Sequence, residues 1–150
     1  MRLKEIFPAG HFAPAASVAE ITQVENELGI TLPDQLRALY LQCDGFREPR
    51  GNSKYLFALL DEDSIGSLVS VTRFWWHEWN EIVPDRVRID FRPFVFFGSS
   101  IADHTWAIRW NGPAEIIAYH HHMESQYEIV GSDIITVYQR DDALYDKLVR

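Results

Sequence analysis

The chain is short of cysteine, of basic charge and of long apolar runs, and each shortage closes off a class of function. Cys43 is the only cysteine. One thiol forms no intrachain disulfide and builds no cysteine-based zinc site, so a reducing compartment is compatible. Lysine and arginine number 14 against 22 aspartates and glutamates, a formal net charge of −8. Nucleic-acid affinity comes mainly from basic side chains on phosphates, so this balance argues against direct nucleic-acid binding. An acidic surface instead attracts basic partners and speeds their encounter. The longest apolar runs reach about six residues, far below the ~20 of a membrane-spanning helix. Residues 1–8 lack the continuous apolar stretch of a signal peptide. The expected location is the cytoplasm, away from membranes.

Catalytic frames are missing as well. Ser99-Ser100 follows Gly98, without the Gly-x-Ser-x-Gly frame of a nucleophile elbow. No glycine-rich loop offers to cradle a phosphate. Cys43 sits near the end of an amphipathic helix, where cysteine is usually an inert buried hydrophobe. The expectation is a protein that is not an enzyme and carries no cofactor.

What is present fits one globular domain over residues 1–150. The apolar share is 47% and the charged share 24%, near the globular average, so disorder is not expected. Residues 1–16 read as an irregular lead-in, broken by Pro8, Gly10 and Pro14. Ser17 and Glu20 form a capping box for a first helix with Val18, Ile21, Val24 and Leu28 along one stripe. Gly29 supplies its left-handed end. Pro33 fits the first turn of a second helix, with Leu36, Leu39 and Tyr40 on one face and Gly45 closing it. Residues 55–60 have the length and apolarity of a strand. Residues 61–64 read as a helix start, with acids near the positive end of the dipole, and Ile65, Leu68, Val69 and Thr72 behind it. Residues 73–83 read as helical.

From residue 93 the period changes to two. Residues 94–97 form a strand ending at Gly98. Residues 105–110 alternate, with Trp106, Ile108 and Trp110 on one face. Asn111-Gly112 is a strong hairpin signal that pairs them with a strand from residue 115, on which Ile117 and Tyr119 share a face. Residues 127–130 form a further strand, and Ser132-Asp133 caps a C-terminal helix with Ile134, Val137 or Tyr138, Leu144 and Leu148 as its stripe. Runs of helices and runs of strands predict an α+β fold. Its central antiparallel sheet has about four to six strands, with two N-terminal helices, a middle helix and a C-terminal helix.

Three stretches of this order resemble the SUKH superfamily, which includes a fungal cell-wall assembly regulator and many bacterial toxin-immunity proteins. The first is Glu25, Gly29-Ile30-Thr31-Leu32-Pro33 and Asp44-Gly45. It is similar to the family's opening of helix, Gly-x-x-Leu-Pro, helix and Asx-Gly. The second runs from Leu56 to Val71, a strand leading through an acidic turn into a short helix. The third runs from Phe94 to Val130 with the last helix, including Gly98-Ser99-Ser100-Ile101-Ala102-Asp103 before a strand. The chain departs where the family often has a second Asp shortly after Asp103, and carries Ala107, Ile108 and Arg109 there. The resemblance implies a protein-binding domain. The leading role is an immunity protein that occludes a cognate toxin, often a nuclease, and the alternative is an interaction scaffold without a toxin.

The side chains that could carry such binding are Trp75, Trp76 and Trp79, and the acids Asp61, Glu62, Asp63 and Asp103. With Phe74, the tryptophans are spaced so that a regular helix cannot turn all four rings to one core, and exposed Trp is enriched at interface hot spots. The expected partner is basic. Against this stands His120-His121-His122. On a strand His120 and His122 point the same way and could share a metal, the basis of a third reading as a metal-dependent enzyme. His104, Asp103 or Glu124 would have to supply a third ligand, and without one the sequence predicts no metal site.

Overall fold

Local signals place the helices, and side chains from them decide where the sheet stops. The computed structural model describes residues 2–48, 55–61, 66–100 and 104–149. A single helical turn, α1 (Leu3–Ile6), and a two-residue strand, β1 (His11–Phe12), occupy the stretch expected to be irregular. Both are too short to show a period in sequence, and burial of Leu3 and Phe7 holds the turn in place. Helix α2 (Val18–Leu28) starts on the expected capping box. Ser17 Oγ accepts from the Glu20 amide and Glu20 Oε1 accepts from the Ser17 amide, both at 3.1 Å. It ends at Gly29, whose φ of 70° is the left-handed region glycine tolerates. Pro33 is the residue before helix α3 (Asp34–Tyr40) and not part of its first turn. A turn separates Tyr40 from Gly45, so Gly45 does not close the helix.

Strands β2 (Phe46–Arg47) and β3 (Tyr55–Leu56) follow. The strand expected over 55–60 therefore pairs over only two residues. The rest leaves the sheet because side chains and a helix end take its backbone groups. Tyr138 donates to the Tyr55 carbonyl and Tyr40 to the Phe57 carbonyl, each at 2.6 Å. Asp44 Oδ1 accepts from the Leu59 amide at 2.8 Å, and the Leu68 amide donates to Ala58 O at 2.7 Å.

Helix α4 (Leu68–Arg73) begins at Ser67, which forms a capping box with Ser70. The expected start at 61–64 is thus displaced, since a hydroxyl pair outcompetes the dipole effect of acids. Glu62, Asp63, Ser64 and Ile65 lie outside the described residues. The helical expectation for 73–83 holds in a modified form. A π-helical turn (Phe74–Glu78), in which the Trp79 amide donates to Phe74 O, runs into α5 (Trp79–Ile82).

Strands β4 (Phe94–Ser99), β5 (Thr105–Arg109), β6 (Ile116–Tyr119) and β7 (Glu128–Gly131) complete the sheet, and α6 (Ile134–Val149) ends the fold. Asp133 Oδ2 caps α6, accepting from the Thr136 amide at 2.9 Å. The fold is α+β, and its sheet has seven strands in chain order, every neighbouring pair antiparallel. Among the described residues the count exceeds four to six because β1 and β2 have two residues each and leave no alternation to read.

The hairpin between β5 and β6 forms with Ile108 opposite Ile116, but not through a tight Asn-Gly turn. Such a turn would need Asn111 and Gly112 at positive φ, and neither has it. It would also need residue 113 to donate its amide to Trp110, and Pro113 has no N–H. The loop widens, and the Arg109 amide donates to Glu115 O at 2.9 Å.

The central strands are buried on both faces. Val95, Phe97, Trp106, Ile108, Ile116 and Ala118 join the main core with residues of α2, α3, α4 and α6. The alternating set Phe94, Phe96, Ala107, Ile117 and Tyr119 joins a second cluster with Phe91. Because β3 is short, part of the β4 edge faces no strand. Two side chains of the 68–82 helical run cover it. Thr72 Oγ1 accepts from the Phe96 amide at 3.0 Å and donates to the Phe96 carbonyl at 3.4 Å. Trp76 Nε1 donates to the Phe94 carbonyl at 2.7 Å.

The Thr72→Val substitution keeps the shape and removes both Phe96 bonds at a fully buried site. Leaving a buried amide unpaired costs about 1–3 kcal/mol. The expected result is a loss of about 2 kcal/mol in chemical denaturation, with the slope unchanged.

Candidate functional site

The aromatic segment is built by the π turn. Its i→i+5 bond adds a residue to one turn and so rotates Phe74, Trp75 and Trp79 toward one side. Trp75 then stacks on Phe96, with ring centroids 5.5 Å apart and planes at 19°. It meets Phe91 and Tyr119 edge-on at 5.6 and 5.5 Å, and touches Phe74 and Trp79 at 5.2 and 5.0 Å. Trp79 reaches Tyr119 as well. Trp76 lies along the β4 edge, where it packs against both clusters. All four rings, Phe74 included, are half-buried. The geometry therefore brings Trp75 and Trp79 together, sets Trp76 beside them, and gives each ring a packing role along with a remaining accessible edge.

The acids form a separate neighbourhood. Asp44 and the exposed Asp61 line a cleft of about 380 Å³ with His11, Arg47 and Tyr55. Asp44 follows α3 and is held by its bond to the Leu59 amide. Burial pushes its carboxyl above the ordinary aspartate range, the Leu59 amide pulls it back, and the charges of Glu20 and Asp61 push it up again. Three acids from distant parts of the sequence thus share one field. Glu20 was not foreseen, since its sequence signal is a capping box and it serves as one. No tryptophan of the 74–79 segment lines this cleft. Glu62, Asp63 and Asp103 lie outside the described residues. The positions where a second family acid would stand are accounted for. Ala107 and Ile108 are buried, and Arg109 pairs with Glu115 at 3.1 Å while its guanidinium lies 4.7 Å over the Phe94 ring.

The lone thiol is not set up as a nucleophile. Cys43 is buried, and desolvation pushes its thiol up to about 11. The three histidines leave the strand pattern on which their reading depended. Strand β6 ends at Tyr119, and residues 121–123 form a 3-10 turn.

The motif residues Glu25, Leu32 and Asp44 act inside the fold. Glu25 Oε2 accepts from the Leu32 amide at 2.7 Å and from Arg37 at 2.8 Å, locking α2, the Gly-Ile-Thr-Leu-Pro connection and α3 into one unit. Gly45 lies beside Ala58 at φ 115°, a backbone conformation that favours glycine.

Residues 15–140 match the model of the SMI1 / KNR4 family (SUKH-1). No curated protein matches the chain. Among the described residues no helix is long and apolar enough to cross a membrane.

Two outcomes follow for these side chains. Trp75→Ala removes a ring packed on five others and is expected to destabilise the fold by about 3–5 kcal/mol, measured by denaturant unfolding. Cys43 is expected to resist iodoacetamide at about pH 8 in the folded protein and to react fully in denaturant, because only the thiolate attacks. Labelling of the folded protein at the rate of a free thiol would show that Cys43 is accessible.

Proposed function

The chain belongs to the SMI1 / KNR4 family (SUKH-1), and from that membership we propose that it is a cytoplasmic immunity protein that binds and occludes a basic toxin domain, a nuclease by preference. The family is one of protein-interaction domains of the immunity and regulator type, generally without catalysis. The observation that carries the proposal is the family match across residues 15–140, which spans helices α2 to α5, the start of α6 and all strands but β1.

Two physical features support a basic partner and a mode of holding it. The net charge of −8 and the shared field of Glu20, Asp44 and Asp61 attract a cationic surface before contact. The accessible edges at Trp75, Trp76 and Trp79, followed by Ile82 at 67% exposure, offer an apolar anchor. Glu62, Asp63 and Asp103 belong to the same proposal as further acids. No chemistry is required of the chain, since masking the toxin's active surface suffices.

Affinity capture from native host cells, followed by co-expression with the captured toxin, tests the role. Restored growth of toxin-expressing cells supports it. Capture of a stable partner that is harmless when expressed alone would replace it with the scaffold reading. Surface plasmon resonance on the complex then separates the two halves of the mechanism. Association should slow as salt rises and in Asp61→Asn, with dissociation nearly unchanged, because exposed charges act over about 10 Å and are screened. Trp79→Ala should speed dissociation about thirtyfold, the equivalent of a ~2 kcal/mol hot spot, while keeping a cooperative melt. Salt-independent association removes the electrostatic half, and unchanged dissociation removes the aromatic half.

A further inference from the structure

We propose that His120, His121 and His122 form a three-imidazole site for a borderline divalent ion such as zinc or nickel. The proposed partner binding does not depend on this site, and the sequence alone predicts none for want of a third ligand. In an extended strand His121 would face away from its neighbours. The 3-10 turn after Tyr119 removes that alternation. Ring centroids are 4.4 Å apart for His120 and His121, 4.8 Å for His120 and His122, and 4.0 Å for His121 and His122. One ring nitrogen from each lies within 4.8 Å of the other two. The third donor is therefore His121, the residue that the period of two had set aside.

The turn that presents them is built rather than loose. The Met123 amide donates to His120 O at 2.8 Å and the Glu124 amide to His121 O at 3.3 Å. The Tyr119 hydroxyl donates to Glu124 O, and the Met123 side chain packs into the second cluster. Glu124 turns the chain at φ 59°, the sole non-glycine residue at positive φ among those described. His120 Nδ1 accepts a long bond of 3.3 Å from the His122 amide, which sets the first ring beside the third, and a cation on Nδ1 would replace it.

The chemistry and the spacing agree. Neutral imidazole suits zinc, nickel and copper, and zinc holds its nitrogens at about 2.0–2.1 Å. A tetrahedral ion therefore sets its ligands about 3.4 Å apart. The widest pair would have to approach by about 1.4 Å, and His121 and His122 are exposed and rotate at small cost. His104, the residue before β5, has its ring centroid 5.9 Å from that of His120. It is not one of the three donors within 4.8 Å, so the fourth position is left to water.

Calorimetric titration of the untagged chain with zinc chloride tests the site, with cobalt(II) as a spectroscopic probe. The expected result is one ion per chain in the micromolar range or tighter, with visible cobalt bands of tetrahedral strength. His120→Ala, His121→Ala and His122→Ala should each weaken binding about tenfold or more with an unchanged melt, and His104→Ala should leave it unchanged. Binding that survives His121→Ala reduces the site to two imidazoles and overturns the assignment. Loss of binding in His104→Ala, or no saturable binding at all, overturns it too. None of these readouts involves a protein partner, so failure here leaves the occlusion proposal standing.

Discussion

Strand β4 is longer than the strand beside it, and much of the domain follows from that mismatch. Its six residues run past the two of β3, which leaves the polar groups of Phe94 and Phe96 facing no ladder. Buried backbone groups without partners are costly enough that native proteins rarely keep them. Thr72 and Trp76 supply the missing donors and acceptor from one helical run. This fixes the helix along the strand edge, and an edge covered by a helix offers no template for pairing with another chain. Once the helix is docked there, the π turn carries Trp75 and Trp79 over the second face of the sheet. The aromatic segment is therefore a consequence of edge protection before it is anything else.

The same principle explains why the connection from β3 into α4 is ordered where described. Two buried tyrosines from opposite ends of the chain, Tyr40 and Tyr138, each give a hydroxyl to a carbonyl of residues 55–57. Burial raises both phenols well above the ordinary tyrosine value, so they remain donors throughout the physiological range. Gly98 is demanded by this arrangement. A Cβ there would lie 2.6 Å from the Tyr138 hydroxyl and closer still to the Tyr55 carbonyl. Glycine is present for the close approach of three chain segments and not for a special φ.

Elements with a local signal were legible, and elements made by distant partners were not. The Ser17 box, the Gly29 end, the Asp133 cap and the alternation on both sides of residue 112 rest on residues within a few positions of each other. The length of β3 depends on Tyr138, some 80 residues away. The start of α4 turned on Ser67 and Ser70, which the stronger acidic signal at 61–64 overshadowed. The hairpin is not a tight turn because Pro113, next to Asn111-Gly112, has no N–H to close it. At the candidate site the spacing alone shows that a regular helix could not turn all four rings to one core. The π turn that relaxes this constraint has no signature in the residues. The grouping of Glu20 with Asp44 and Asp61 was equally invisible, because the three come from separate turns.

The motif Glu25, Leu32 and Asp44 all spend their polar groups within the domain. Of these three, Asp44 alone also lines the acidic cleft, so under the proposed role the motif itself gives a partner little to distinguish. Among the described residues the exposed large apolar side chains are Val18, Leu41, Ile82 and Ile129, far apart in the sequence, and single exposed apolar residues are ordinary. The charge is not ordinary in the same sense, since 22 acids against 14 bases set a field that reaches beyond any one contact. A fold held by internal latches leaves that outer layer free to change without loss of stability, because surface substitutions away from such features seldom exceed about 0.5 kcal/mol. That separation suits the proposed occlusion role, in which the outer layer has to fit a partner while the latches keep the fold.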